Sequence, residues 1–205
     1  MYRAPAAERN KEPIRDVLAK YLLLGNGADG AQVKLLEVAS GCGTHAAFLA
    51  THLPHVDLQP TECDAEKLTN ILGLVLGLEN VRKPLVLDVT APADPALFAP
   101  ASYDAMFNAN MVHISPWDTA VGLFLNAGTL LRPKGLLFTY GPYAEGGVLE
   151  PESNRSFDRS LKSRDPSWGI RDVDDLKKEA EKNGIELEDV HEMPANNKLL
   201  VWRKK

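Results

Sequence analysis

The sequence predicts an α/β fold: a seven-stranded, mostly parallel sheet with helices on both faces, closed by a C-terminal antiparallel hairpin. Three observations predict it. Short apolar runs alternate with helically spaced segments five times between residues 33 and 140, the pattern of a parallel sheet covered on both sides. The last two runs, 185–193 and 198–202, are joined by Pro194, Ala195, Asn196 and Asn197, a connection too short for a helical crossover. The first run breaks at Ser40-Gly41-Cys42-Gly43 and passes straight into a helical pattern, which reads as strand, tight glycine turn, helix.

Taken in order, residues 5–24 place Ile14, Val17, Leu18, Tyr21 and Leu22 at helical spacing. Pro5 suits a first turn that can spare its N–H, and Pro13 is expected to kink or restart the helix. Residues 25–30 read as a loop. The strand over 33–39 carries one acid, Glu37, in an apolar run, and the helix after its turn extends to about residue 53. Residues 56–61 are a second strand ending at Glu62, and Asp64 can cap the helix built on Leu68, Ile71, Leu72, Val75 and Leu76, which stops at Gly77. Strands follow at 85–87, ending at Asp88, and at 103–108, separated by a proline-rich loop with at most one helical turn. Ser115 and Pro116 open a helix through residue 131, and 135–140 is the fifth strand. Residues 141–172 are irregular, with one short helix around Phe157 and Leu161. Asp172 caps a helix through Glu181 that stops at Gly184.

The chain reads as a single domain over 1–205: a helical cap over 1–30, a core over 31–205, and within it a pocket-covering insertion over 141–172. A net charge of −5 argues against nucleic acid as the partner. No stretch reaches the roughly 18 apolar residues of a membrane helix. The first residues lack an apolar signal core, and two cysteines, Cys42 and Cys63, make no disulfide framework. Together these point to a cytoplasmic protein, without excluding the nucleus, that is a monomer or weak dimer.

Ligands of such sheets bind beyond the carboxyl ends of the strands, where strand order reverses. Glu62, Asp88, Asn108 and Tyr140 fall at predicted carboxyl ends, and the 193–197 turn belongs on the same rim. Glycines let a ligand approach the backbone, and the N–H groups of the helix start face it. Two cofactors compete for this turn. Gly41-Cys42-Gly43-Thr44-His45-Ala46 fits the dinucleotide pattern, with Glu62 at about the distance of a ribose-binding acid, which means NAD. Glu37-Val38-Ala39-Ser40-Gly41-Cys42-Gly43, on the other hand, resembles the E/D-x-G-x-G-x-G motif of class I methyltransferases, with Ala39 and Ser40 ahead of the glycine pair. That resemblance implies a Rossmann-like methyltransferase fold, S-adenosylmethionine as cofactor, and three acids placed as Glu37, Glu62 and Asp88 are: near the methionine part, the ribose hydroxyls and the adenine. It also implies the terminal hairpin, which the dinucleotide fold does not require. A narrower resemblance rests on residues 7–14, 108–114, 164–172 and 193–197, which are similar to methyltransferase-like protein twenty-six and its bacterial relatives. It spans nearly the whole chain and implies fold and cofactor, with no particular acceptor.

The candidate cofactor contacts are then Glu37, Ala39, Ser40, Gly41, Gly43, Thr44 and His45 from the first strand, turn and helix. Glu62, Asp88, Val89, Asn108, Asn110 and Met111 join them from later strand ends. A buried Glu37 needs a partner, either a ligand ammonium or Arg9 or Lys11. His113 is the candidate general base, since imidazole titrates near neutrality, although it can equally serve a loop. Tyr140, Tyr143 and Trp117 can face a sulfonium or sit in the core. Arg164, Asp165, Trp168, Arg171 and Asp172 form a charge-rich loop that either holds an acidic acceptor through arginine or is pinned by its own salt bridges. Arg9, Asn10, Tyr140, Tyr143, Arg164, Trp168, Arg171, Asn196 and Asn197 are the candidate acceptor contacts. Cys42 and His45, with Cys63, His52 and His55, do not repeat a zinc spacing, so no metal is expected. The function this supports is S-adenosylmethionine-dependent methyl transfer to a small molecule. The alternatives are a protein that binds the cofactor without turnover and an NAD-dependent oxidoreductase.

Overall fold

The computed structural model describes residues 2–23 and 32–205; the loop expected over 25–30 lies outside the described residues. Helix α1, Pro5–Tyr21, runs unbroken through Pro13. Pro13 removes one N–H, but its φ is helical, and the burial of Ile14, Val17 and Leu18 just beyond it holds the helix together. The helix therefore does not restart at Pro13. The elements then follow as β1 Val33–Val38, α2 Thr44–His52, β2 Val56–Glu62, α3 Leu68–Val75, β3 Leu85–Val86, β4 Tyr103–Ala109 and α4 Trp117–Leu130. After these come β5 Leu131–Gly141, β6 Tyr143–Ala144, α5 Glu152–Arg164, β7 Arg171–Asp172, α6 Val173–Lys182, β8 Ile185–Met193 and β9 Asn197–Lys204.

Seven strands form one sheet in the order β3-β2-β1-β4-β5-β9-β8. Strands β1 to β5 are parallel, and β9 runs antiparallel to both β5 and β8. Strand order therefore reverses between β1 and β4. Their carboxyl ends, residues 38–40 and 108–110, open the crevice where such sheets take ligands. Alternation along β1 assigns the two faces. Leu36 and Val38 join the cluster under α4 and α6, while Val33 and Leu35 join the one under α1, α2 and α3. Trp202 is fully buried on the first face, 5.0 Å from the Phe124 ring, with its indole N–H donating to Thr139 Oγ1 at 3.0 Å. Burying an aromatic of this size with its N–H satisfied ties the hairpin to the rest of the sheet.

Three local expectations are corrected. The third strand pairs over Leu85–Val86 only, because Leu87 turns inward to bury its side chain and donates its N–H to the Glu62 carbonyl. Asp64 caps a single 3-10 turn, Ala65–Lys67, and α3 follows from it. The segment taken as irregular with one short helix holds the 13-residue α5, and its ends pair as the parallel strands β6 and β7. Few apolar residues mark α5, and arginine–glutamate pairs from Glu152 to Arg155 and Arg159 supply its regularity.

Among the described residues, no helix is long and apolar enough to cross a membrane. A Cβ at Gly122 of α4 would overlap the Val89 carbonyl oxygen, a backbone atom that cannot step aside. Gly122→Ala should lower stability by about 2–3 kcal/mol, read as a shift of the urea midpoint; an unchanged midpoint would show that α4 and the segment after β3 do not pack this closely.

Candidate active site

The turn after β1 bends through residues with positive φ: Ala39 at 56°, Gly41 at 59° and Gly43 at 87°. Ala39 stands where the methyltransferase motif has a glycine and tolerates a left-handed conformation that few non-glycine residues adopt. Hydrogen bonds hold the bend from both sides. Ser40 Oγ donates to Glu37 Oε2 at 2.7 Å and accepts from the Thr61 N–H, and Thr61 Oγ1 donates to the Glu37 carbonyl. Glu62 accepts from the N–H of Gly41 at 2.8 Å and from that of Cys63 at 3.1 Å. Two strand ends and the turn are thus one hydrogen-bonded unit.

Beyond this unit lies a cavity of about 520 Å³, a size that holds a nucleoside-sized ligand. Ala39, Ser40, Gly41 and His45 line it from the turn and α2, and Glu62, Asp88, Val89, Asn110 and Met111 from later strand ends. Asp88 Oδ1 accepts from the N–H and hydroxyl of Thr90, which fixes its rotamer at the rim. Four expected contacts are not in the wall. The Glu37 carboxylate is buried on Ser40, and the partner it needs is that hydroxyl, not Arg9 or Lys11. Gly43 packs against Ile71, and Thr44 is buried with its hydroxyl on Cys42 Sγ at 3.1 Å. Asn108 is wholly buried, its amide donating to the Val38 carbonyl while Oδ1 has no partner.

A second cavity, about 760 Å³, adjoins the first, and Ala6, Asn110 and Ile114 line both. It gathers Arg9, Asn10, His113, Tyr140, Arg164, Asn196 and Asn197. Tyr143 is buried in the core face instead. Trp168 lies outside the wall, with the Arg164 guanidinium 5.6 Å from its ring. Arg171 donates to the carbonyls of Val112, Ser115 and Ser167. The charge-rich loop is therefore pinned through backbone carbonyls, not by salt bridges among its own side chains, and it contributes only Arg164 to the cavity.

Asn10 connects the two cavities. Its Oδ1 lies 2.7 Å from His45 Nε2, and it also bonds the Tyr140 hydroxyl. Burial pushes His45 down to about 4, so this imidazole is neutral. His113 is likewise pushed down to about 4, mainly by burial and then by Arg171 and Arg164. Its ring packs edge-on to Phe157 at 5.6 Å, and no protein group among the described residues hydrogen-bonds either ring nitrogen. Backbone strain marks the same region. Of the non-glycine residues with positive φ, Ala39, Asn110, Ala195 and Asn196 line one cavity or the other, and such strain persists where function holds it.

Sequence reasoning missed the wall contributed by the chain start. Ala4, Ala6 and Ala7 line the first cavity, and the Ala4 N–H is 3.2 Å from Cys42 Sγ. Cys42 thus fastens α1 to the turn and is more than a small filler. The run of small residues around Pro5 was the available signal. From the 141–172 segment, Ser153, Asn154 and Phe157 were also missed. Cys42, His45, Cys63, His52 and His55 do not converge: among the described residues no three metal-binding side chains cluster.

Sheet order, terminal hairpin and crevice are those of a class I methyltransferase, with its Rossmann-like fold. The chain belongs to the family described as protein of unknown function DUF938, which matches it over residues 1–204. Solved structures carry the same fold. An O-methyltransferase family 2 protein from Planctomyces limnophilus, in complex with apigenin, has a TM-score of 0.82 at 16% identity, over 98% of this chain and 58% of that one. A putative sarcosine dimethylglycine methyltransferase from Galdieria sulphuraria has a TM-score of 0.72 at 16% identity, over 100% and 92%. CalO1, a methyltransferase in calicheamicin biosynthesis in its SAH-bound form, has a TM-score of 0.69 at 14% identity, over 95% and 56%. The chain spans little more than half the length of the first and third.

Burial pushes the Glu37 carboxyl up from its ordinary 4.5 to about 7, against the Ser40 hydrogen bond and with help from the Glu62 charge. The folded state then holds this proton more tightly than the unfolded chain, so the Glu37 contribution to stability falls as pH rises from about 4.5 to about 7. Glu37→Gln should be free of that fall. Unfolding free energies measured at pH 5 and pH 8 should drop less in the variant than in the parent, and equal drops would refute a protonated, buried Glu37.

Proposed function

We propose that the protein is an S-adenosylmethionine-dependent methyltransferase acting on a small molecule, and that it belongs with methyltransferase-like protein twenty-six and its bacterial relatives. The observation that carries this reading is the pair of adjoining cavities at the strand-order reversal, one walled by acids and one by polar and aromatic side chains. The residues present suit the cofactor. Glu62 and Asp88 offer carboxylate oxygens for ribose hydroxyls and an adenine amino group, and Leu87, Val89 and Met111 offer apolar contact for a purine ring. Among the described residues of this wall, Lys67 lies 3.7 Å from Glu62 and offsets one of the wall's two acids, which leaves one net negative charge to face a positively charged ligand. A dinucleotide fits less well, because dinucleotide folds use two mononucleotide-binding halves and here the second half ends in the β8–β9 hairpin.

When bound, S-adenosylmethionine supplies a methyl group on a sulfonium, ready for in-line displacement by an acceptor nucleophile. The protein's share is alignment and exclusion of water. Ala6, Asn110 and Ile114, at the junction of the cavities, set where the two ligands meet. His113, neutral and without a side-chain hydrogen-bond partner among the described residues, takes the proton of an acceptor hydroxyl or amine. Tyr140 and Asn10 orient the acceptor. The protein acts without a metal, and as a cytoplasmic monomer or weak dimer.

Calorimetry with S-adenosylmethionine, S-adenosylhomocysteine and NAD tests the cofactor. The first two should bind and NAD should not, and binding of NAD alone would overturn the reading. Glu62→Gln should weaken the adenosyl ligands about 10- to 100-fold, the loss of one hydrogen bond to a charged group of roughly 1.5–3 kcal/mol. Once an acceptor is in hand, His113→Ala should lower kcat/KM by roughly 10²–10⁴. Because protonation silences a base held near 4, the parent's kcat/KM should lose activity only as pH falls toward about 4. An acid limb near 6.5, or a His113→Ala variant with parental kcat/KM, would remove His113 from the chemistry.

A further inference from the structure

Most arginines of this chain are paired. Arg3, Arg15, Arg82, Arg132, Arg155, Arg159 and Arg203 each meet a carboxylate. Among the described residues the exceptions are Arg9, Arg164 and Arg171, and Arg171 is spent on three carbonyls. The remaining two, Arg9 from α1 and Arg164 from the end of α5, both line the 760 Å³ cavity. No aspartate or glutamate shares that wall, although the protein carries 28 acids against 23 lysines and arginines. Both are exposed, so water can solvate them; what marks them is that, in an acidic protein, two guanidinium groups without carboxylates meet in one cavity wall with no acid beside them.

We propose that this cavity selects an acceptor bearing a carboxylate or phosphate on an apolar body, gripped by Arg9 and Arg164. The proposal rests on the methyltransferase reading above, whose acceptor site it names by charge. A guanidinium presents a rigid fork of N–H donors that matches the paired oxygens of either anion. Arg164 rests its face toward Trp168 at 5.6 Å, which steadies the group and leaves its N–H edge for a ligand. Arg9 sits one residue before Asn10, whose bonds to His45 and Tyr140 fix that stretch of α1. Ile114, Phe157 and Pro142 supply apolar surface for the body of the molecule. The two cavities are then complementary in charge: an acid-lined wall for a cationic cofactor, an arginine-lined wall for an anionic acceptor. A pairing of opposite ligand charges across a short junction draws the two reactants together.

Calorimetry on the full chain, with and without saturating S-adenosylhomocysteine, tests this with benzoate, phenyl phosphate and the neutral analogue benzamide. At least one anion should bind about tenfold or more tightly than benzamide, and Arg9→Gln and Arg164→Gln should each weaken it about tenfold. The stronger anion tells carboxylate from phosphate. S-adenosylhomocysteine affinity in both variants should stay within about twofold of the parent, since neither arginine lines the first cavity, and this also reports that the variants are folded. Benzamide binding as tightly as the anions, binding of neither anion, or parental anion affinity in both variants would overturn the proposal. The two readings fail separately: anion selectivity without S-adenosylhomocysteine binding sinks the cofactor assignment, and the reverse sinks only the acceptor charge.

Discussion

The structure depends on a carboxylate, Glu62, that accepts the N–H of Gly41 at 2.8 Å across the gap between two strand ends. A turn through three residues of positive φ exposes backbone donors and costs conformational energy, so it forms only when something holds it. Glu62 holds it from β2, and Glu37 with Ser40 holds it from β1. Because Glu62 is buried and near Glu37, the two acids cannot both carry full charge cheaply, and burial settles the matter by raising Glu37. One acid becomes a brace inside the turn, its carboxyl pushed up toward about 7, and the other stays in the cavity wall. Sequence alone ranks them as equals; both are buried, and what separates them is where each carboxylate points, one onto Ser40 and the other into the cavity wall.

The same economy runs through both cavities. Imidazoles at His45 and His113 are both neutral because both are buried, yet they do different things. His45 is committed to Asn10 at 2.7 Å, whereas His113 has no such commitment. His45 spends Nε2 on Asn10 and so serves architecture, whereas His113, in the wall of the second cavity, makes no side-chain hydrogen bond among the described residues. Helix α1 makes these distinctions possible. With Ala4 just before it, it contributes Ala6 and Ala7 to one wall and Arg9 and Asn10 to the other, and this stretch is fastened to the turn through Cys42 and to α2 through His45. The beginning of the chain is therefore part of both cavities.

Much of the sheet was legible because period and punctuation agreed. Apolar runs bounded by Gly, Pro and Asp located β1, β2, β4, β5 and the β8–β9 hairpin to within a few residues, and the short link from Pro194 to Asn197 dictated antiparallel pairing. Helix α5 was barely legible, because only Leu161 and neighbours of mixed polarity bury while ion pairs carry the rest. Pro13 misled in the opposite direction: a local rule allowed a restart, and the helix, buried on both sides of the proline, continues through it. For the site, Glu62, Asp88 and Asn110 followed from strand ends, whereas Glu37, Gly43, Thr44 and Asn108 belong to the support behind the wall. The strand-end rule locates residues near a crevice and says nothing about which way each side chain points.

What the sequence by itself determined is the order of strands and helices, the glycine bend and the acids at the strand ends, since these depend on local periodicity and on backbone conformations few residues can adopt. Tertiary structure alone decided which acid is withdrawn onto Ser40, which histidine bonds Asn10 and which arginines among the described residues meet no carboxylate. Each of those depends on what other segments, distant along the chain, bring within hydrogen-bonding distance.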